Sequence, residues 1–477
     1  MKRASIRKTK VVATIGPACD SPEALQAMIR AGMNVARLNF SHGSHEEHRK
    51  RLERIRDAAD ALGANVATML DTKGVKIRTG RVEGGQVLLQ TGADFTLYTD
   101  GRPGNAEGVS VSYEAMPGEL EPGSSVLLDD GVIELEVLSV EGDSVRCRIR
   151  RGGRLTDRRG VNLPGTSLGI SAMNPENRAD LLFAIEHDIT YIAASFVRNT
   201  ADLREIRQLL QEHGASIPVI AKIESFEGVE NLESIVAEAD GIMVARGDLG
   251  VEMPVERLPI VQKKIIRTTV MNGKPVITAT QMLDSMQRNP TPTRAEVSDV
   301  ANAILDGTSA VMLSNETAAG SYPVEAVRTI AALANEAEES LAEYGHLQHI
   351  LPGPANIVTE AVSQAAITMA NHLDAAAILA LTESGFTARS ISKYRPNCPI
   401  LAVTTWEPVL RRFALNWGVT GILNAHGERP SNEEMVQAGI DRGREMGVVD
   451  SGDIVVVTAG AHGETGSTNL IRVVEVD

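Results

Sequence analysis

The sequence predicts an α/β chain. It reads as an eight-fold (β/α)8 barrel of the TIM type, interrupted after its third strand by a small all-β domain and followed by an open α/β sheet. Three observations predict this. Eight short, nearly continuous apolar runs recur over the first 345 residues, mostly 23–35 residues apart, the size of a strand–helix unit. One interval, from 66 to 191, is far longer; removing 72–168 leaves about 250 residues, the usual size of such a barrel. Beyond the Pro/Gly-rich stretch LPGPAN, strands and helices alternate again for about 130 residues. The expected domains are 1–71 with 169–345 (barrel), 72–168 (inserted lid) and 346–477 (C-terminal sheet).

The barrel strands are read at VVATIG (11–16), VARLNF (35–40), VATMLD (66–71), YIAASF (191–196), PVIAKIE (218–224), GIMVAR (241–246), PVITAT (275–280) and AVMLSN (310–315). Runs this apolar mark strands covered on both faces. Helical patterns follow nearly all of them, among them PEALQAMIRAG, NRADLLFAIEH and DLREIRQLLQEH, with Pro22 and Pro323 at first-turn positions. The insert instead alternates apolar and polar residues around Gly-Gly, Gly-Asp and Asp-Gly turns, which predicts a small β-barrel or sandwich. Hung on two chain crossings beside a barrel mouth, it is placed to act as a lid. The last strands are AAILALT, PILAVTT, VTGILNA, DIVVVTAG and an exposed-looking NLIRVVEV.

Composition narrows the function. The chain has 477 residues, 43% hydrophobic and 23% charged, with a net charge of −15. An acidic surface and only 3% aromatic residues argue against nucleic-acid binding, though a local positive pocket can still take a phosphorylated metabolite. Three scattered cysteines make neither a disulfide framework nor a thiolate zinc site, and fit a reducing cytoplasm. No run reaches the ~18 apolar residues of a membrane helix.

Active sites of such barrels lie at the carboxyl ends of the strands. Those ends carry Asn39, Ser41, Asp71, Thr72, Ser195, Lys222, Glu224, Arg246, Asp248, Thr280, Ser314 and Glu316. Glu224 and Asp248, on adjacent strand ends, are the candidate ligands of a divalent cation that prefers hard oxygens. Lys222 leaves its strand on the same side as Glu224, where an ammonium stabilises charge growing on an oxygen or phosphoryl group. Arg37 and Arg78 offer bidentate forks for phosphate or carboxylate. Thr280 is a packing threonine or orients a substrate or a proton-relaying water. His42, His45 and His48 are spaced for a metal cluster, but a solvated histidine face opening the helix HEEHRKRLERIR is the preferred reading. Neither a G-x-x-x-x-G-K-[ST] loop nor a strand-associated G-x-G-x-x-G is present.

Together these motifs resemble the pyruvate kinase family. The matching segments are TIGPA (14–18), GMNVARLNFSHG (32–43), LDTKG…IRTG (70–80), RRGVNLPG (158–165), AKIES (221–225), DGIMVARGDLGVE (240–252), ATQMLDSM (279–286), PTRAEVSDVANAILDGTSAVMLSNETA (292–318) and YPVEAV (322–327). The resemblance runs essentially end to end. It implies transfer of the phosphoryl group of phosphoenolpyruvate to ADP, giving pyruvate and ATP, in a cytoplasmic homotetramer. By motif match Glu224 and Asp248 bind Mg²⁺, with Mn²⁺ as a substitute, and Lys222 stabilises the transferring phosphoryl group and the enolate. Arg37 binds phosphate, Gly247 meets the substrate carboxylate, and Thr280 sits near the carbon that gains a proton. Arg78, Arg159, Asn39 and His42 surround the nucleotide, Arg159 reaching from the lid.

Two departures qualify the resemblance. Asn39, Ser41, Asp71 and Thr72 match the family's K⁺ site, but Lys76 stands where K⁺-dependent members carry glutamate; its ammonium is expected to replace the monovalent cation. The family's SGET reads SNET, with Asn315. In the C-terminal domain TESGFTARS (382–390) is either a capped turn or a phosphate-binding effector loop formed by Thr382, Ser384, Gly385 and Thr387. A sugar phosphate or AMP is the effector to test there. Two competing functions remain at this level: a barrel lyase or mutase, which needs no Arg159, and a catalytically dead metabolite sensor.

Overall fold

The computed structural model describes residues 6–74, 77–166, 169, 171, 173–345, 350, 356–424, 430–460 and 468–477. Its centre is a closed barrel of eight strands. In chain order these are Lys10–Thr14, Val35–Asn39, Ala67–Asp71, Tyr191–Ala194, Val219–Ile223, Gly241–Ala245, Val276–Ala279 and Ala310–Leu313. All neighbours pair in parallel, and the first strand closes the ring against the eighth. All eight expected runs are therefore strands of one barrel.

Side chains alternate between two cores. Val219, Ala221 and Ile223 point out to the helices, whereas Ile220 joins Val12, Val35, Met69, Ala193, Met243 and Ile277 in the barrel interior. Period-two alternation then carries the inward row one layer higher, to Thr14, Arg37, Asp71, Ser195 and Lys222. Apolar filling gives way to polar groups at the carboxyl rim.

The helices start where the chain signals. Pro22 and Pro323 occupy first-turn positions. The PTRAE segment is a capping box, in which the Thr293 side chain accepts from Glu296 N and the Glu296 carboxylate accepts from Thr293 N. Glu296 also accepts from Ser285 N and Oγ at 2.7 and 2.6 Å.

The insert has its own core and a seven-stranded sheet plus a two-stranded ribbon. The bridge between Thr79 and Val111 joins the two edges of that sheet, helped by Gly80 N to Ser110 O at 2.7 Å and Ser112 N to Arg78 O at 2.9 Å. The sheet thus curls into a small barrel, one of the two forms expected. The C-terminal domain is a five-stranded sheet, parallel except for its last strand, Thr468–Glu475. It packs on the floor of the central barrel: Ala414 and Leu415 enter the interior cluster, and Lys10 Nζ donates to Val419 O at 2.7 Å. Among the described residues no helix is long and apolar enough to cross a membrane.

Candidate active site

The raised polar row is one hydrogen-bonded arc across five adjacent strands. Arg37 donates through Nη1 to Thr14 Oγ1 at 2.8 Å and through Nε to Asp71 Oδ2 at 2.7 Å. Lys222 Nζ lies 3.0 Å from Asp71 Oδ1, 2.7 Å from Ser195 Oγ and 3.0 Å from Glu224 Oε1. Glu224 Oε2 accepts from Phe196 N at 2.6 Å. Gly74, of the LDTKG motif, lies against the Phe196 ring; a Cβ there would stand 2.3 Å from Phe196 Cδ2.

Charge follows from this packing. Burial alone would lower the Lys222 ammonium, but Asp71 and Glu224 outweigh it and hold it charged, above its ordinary range. Burial likewise pushes Asp71 up, yet Arg37 and Lys222 hold it below the usual carboxylate range. Glu224 behaves oppositely: burial pushes it up to about 7, Asp248 and Asp71 add to the rise, and Lys222 only partly offsets it. Asp71, Glu224 and Asp248 thus bring three carboxylates to the part of the rim that holds Arg37 and Lys222. A rim with a reluctant, buried carboxylate beside a second one has the hard-oxygen donor set that a divalent cation prefers.

The opposite side of the rim is built on Arg246. Its Nη1 meets both Asp299 oxygens at 2.8 and 2.7 Å, and its Nη2 donates to Thr280 O at 2.7 Å. Thr280 has φ +69°, a left-handed conformation unusual for a β-branched residue. The clamp presents its hydroxyl, which accepts from Gly247 N at 2.8 Å and donates to Ala279 O at 2.6 Å. Arg246 is thus committed to protein groups. So is Glu316, whose carboxylate accepts from Leu283 N and Ser314 N. These two rim residues were expected among the reactive groups, but their geometry serves the backbone.

Other expectations divide. Asn39 is the register partner of Asp71, and its Oδ1 accepts from Ser41 N at 3.1 Å. Thr72 Oγ1 accepts from Ser195 N, and Thr72 O accepts from Ser195 Oγ. The four residues expected at a K⁺ site therefore lie in or next to the arc, with Asp71 already shared between Arg37 and Lys222. Lys76 lies outside the described residues. His42 is exposed, but His48 is buried and stacks on Phe40 at 4.1 Å, so the solvated histidine face is corrected. The cause is burial against the Phe40 ring, which pushes the His48 imidazole down to about 4 while its Nε2 bonds His42 O at 2.9 Å. His45 instead pairs with buried Asp180 at 2.7 Å.

Arg78 and Arg159 lie on the lid, exposed. Arg78 donates to Arg158 O at 3.2 Å, and Arg159 pairs with Asp129 at 3.3 Å. The lid touches the rim through Asn162, whose Nδ2 donates to Glu252 Oε1 at 3.0 Å. Glu252 ends the helix Arg246–Glu252 that carries Gly247 and Asp248. This contact was not foreseen; its one signal is that NLPG and GVE both belong to matched motifs. In the C-terminal domain Thr382 Oγ1 accepts from Gly385 N at 3.0 Å, Gly385 has φ +78°, and Thr387 is buried against Thr468 at 2.7 Å.

Comparison with known proteins agrees with this geometry. Residues 6–327 match the family model "Pyruvate kinase, barrel domain", and residues 360–474 match "Pyruvate kinase, alpha/beta domain". Curated pyruvate kinases of Geobacillus stearothermophilus and Bacillus licheniformis are 50% and 48% identical over 471 residues, covering 98% of this chain and 80% of theirs. A solved pyruvate kinase from Cryptosporidium parvum superposes with a TM-score of 0.94 at 40% identity, covering 99% of this chain and 96% of that one.

Proposed function

The chain belongs to the pyruvate kinase family, and on that premise we propose how its rim transfers the phosphoryl group of phosphoenolpyruvate to ADP, giving pyruvate and ATP. The observation that carries the reading is the Lys222 ammonium, held charged between Asp71 and Glu224.

The bond between phosphorus and the enol oxygen breaks, and one forms from phosphorus to a terminal oxygen of ADP. Such transfer asks for position and charge neutralisation rather than covalent help. Arg37 holds the phosphoryl group, and Lys222 stabilises it in flight and then the enolate left behind. The Gly247 N–H leaves the Thr280 hydroxyl to receive the substrate carboxylate, and that hydroxyl, positioned by the Arg246 clamp, stands where a proton reaches the enolate carbon. Glu224 and Asp248 would hold Mg²⁺, which when bound neutralises charge on the phosphoryl and enolate oxygens. Arg78 and Arg159, with Asn39 and His42, bind the nucleotide as the lid closes and excludes water. Asn39, Ser41, Asp71 and Thr72 form the monovalent-cation locus, with Lys76 substituting for K⁺.

The domain limits follow the chain crossings, with 72–168 as the lid between the barrel segments 1–71 and 169–345, and 346–477 as the regulatory domain. Thr382, Ser384, Gly385 and Thr387 bind the phosphate of a sugar-phosphate or AMP effector. A cytoplasmic homotetramer is the expected assembly. The deciding experiment is a coupled assay: pyruvate must form only when ADP is present, and Lys222→Met must abolish it while the protein stays folded. Pyruvate formed from phosphoenolpyruvate without ADP would mean transfer of the phosphoryl group to water rather than the kinase reaction, and no pyruvate even with ADP would favour the lyase or mutase reading.

A further inference from the structure

We propose that the small cavity where the amino ends of the seventh and eighth barrel strands meet the C-terminal domain binds one monovalent inorganic anion of the size of chloride. Lys274 and Ser309 line it from the barrel, and Arg389, Lys393, Arg395 and Trp417 from the C-terminal domain. Its free space is about 10 Å³, room for one water-sized body. Chloride fits that space; a phosphate, a sugar phosphate or a nucleotide does not. The cavity lies toward the carboxyl end of helix Phe386–Lys393, and none of Thr382, Ser384, Gly385 and Thr387 lines it.

Two features select an anion. The first is charge. Lys274, Arg389, Lys393 and Arg395 bring four cationic groups to the lining, and among the described residues that line it there is no carboxylate. Lys393, 4% exposed, is met from behind by Glu360 at 2.8 Å. Asp240 acts on both Lys274 and Arg389, but Arg207 already binds it at 2.9 Å. Arg395 is opposed by Glu338, which also faces Arg7, Lys8 and Lys10 and accepts from the Lys8 and Thr9 N–H groups. Burial pushes the Arg395 guanidinium down to about 9 despite that carboxylate. The lining is therefore positive, and a small anion is what it lacks.

The second is an unmet donor. Arg395 is pinned in place: its φ is +53°, its guanidinium lies 4.6 Å over the Trp417 ring, and Nη2 donates to Gly307 O at 2.7 Å. Its Nε is buried with no hydrogen-bond partner. Ser309 Oγ accepts from Val276 N at 3.2 Å and from Arg395 Nη2 at 3.3 Å, which leaves its own O–H to donate. A buried N–H of a charged group calls for an acceptor. A water accepts too, but it must also place two hydrogens among cations; a halide brings only negative charge. Held by Arg395 and Ser309, the anion ties the barrel floor to the C-terminal domain by charge-assisted contacts.

The test uses the full chain. Crystals soaked in sodium bromide must show an anomalous peak in contact with Arg395 Nε. In solution at fixed ionic strength, Tm must rise saturably as chloride replaces gluconate, an anion too large for the cavity. Arg395→Gln must abolish that rise. Ser309→Ala, which keeps every charge of the lining, must raise the chloride midpoint at least about threefold. A variant that merely loosens the fold lowers Tm in both salts and leaves the rise intact. Water without bromide in the cavity, a bromide peak with no saturable rise (an adventitious ion only), a rise that survives Arg395→Gln, or a midpoint unmoved by Ser309→Ala would each overturn the proposal.

Discussion

The Nζ of Lys222 stands 3.0 Å from Oε1 of Glu224. One strand thus supplies both the cation and the carboxylate, with a single residue between them. Glu224 keeps a proton up to about 7 because it is buried beside Asp248 and Asp71, even with the ammonium in contact. A further positive charge beside this carboxylate, as a divalent cation would bring, favours its charged form.

Replacing Lys222 by Met should lower kcat by about 100-fold or more, the scale for losing one preorganised charge donor. Melting should also fall, since Asp71 and Glu224 lose a shared partner. Steady-state rates and thermal scans of the same preparation separate the two effects. A variant with wild-type kcat would remove Lys222 from the mechanism.

The Glu224 shift makes metal-free stability fall with pH. Its folded value lies above the ordinary 4.5, so the folded state holds the extra proton between 4.5 and about 7. Its contribution is present below that window and is lost as pH rises through it. Mg²⁺ favours the charged carboxylate, so the rise in Tm on adding Mg²⁺ should grow from pH 5 to pH 8. Glu224→Gln should flatten that dependence. A Tm gain equal at both pH values in the parent protein contradicts the assignment.

Thr280→Val deletes the hydroxyl that accepts from Gly247 N. We expect kcat to drop about 100-fold, on the scale of general acid–base steps, with a smaller change in KM for phosphoenolpyruvate. Arg246→Met should reproduce part of that loss by freeing the left-handed turn at Thr280 rather than by touching substrate. Thr280→Ser, keeping the hydroxyl, should recover most of the rate; if Ser behaves like Val, the hydroxyl has no role.

Asn162→Ala removes the bond to Glu252 that joins lid to rim. A hydrogen bond to a charged group contributes about 1.5–3 kcal/mol, so KM for ADP should rise about tenfold. KM for phosphoenolpyruvate should stay within about twofold, because the barrel half of the site is untouched. An unchanged KM for ADP would show that this contact does not govern closure.

If Lys76 substitutes for the monovalent cation, withholding K⁺ should change the rate by far less than about 100-fold, and Lys76→Glu should create a K⁺ requirement. Initial rates in tetramethylammonium buffers with and without K⁺ measure this directly.

The chain itself announced most of this architecture. Short continuous apolar runs recurring at strand–helix spacing read as strands buried on both faces, and the gap between residues 66 and 191 was long enough to hold an insert. Period-two alternation placed Lys222 and Glu224 on one side of their strand. What a linear reading could not supply was pairing across the ring. Arg246 and Glu316 looked like reactive rim groups until closure of the barrel brought them against Asp299, Thr280 O and Leu283 N. His48 looked solvated until its helix packed it against the Phe40 ring. Alternation is a local consequence of strand geometry and survives in sequence. Which buried charge meets which depends on neighbours 33 to 151 residues away, and only the closed barrel, by removing water from between them, decides that.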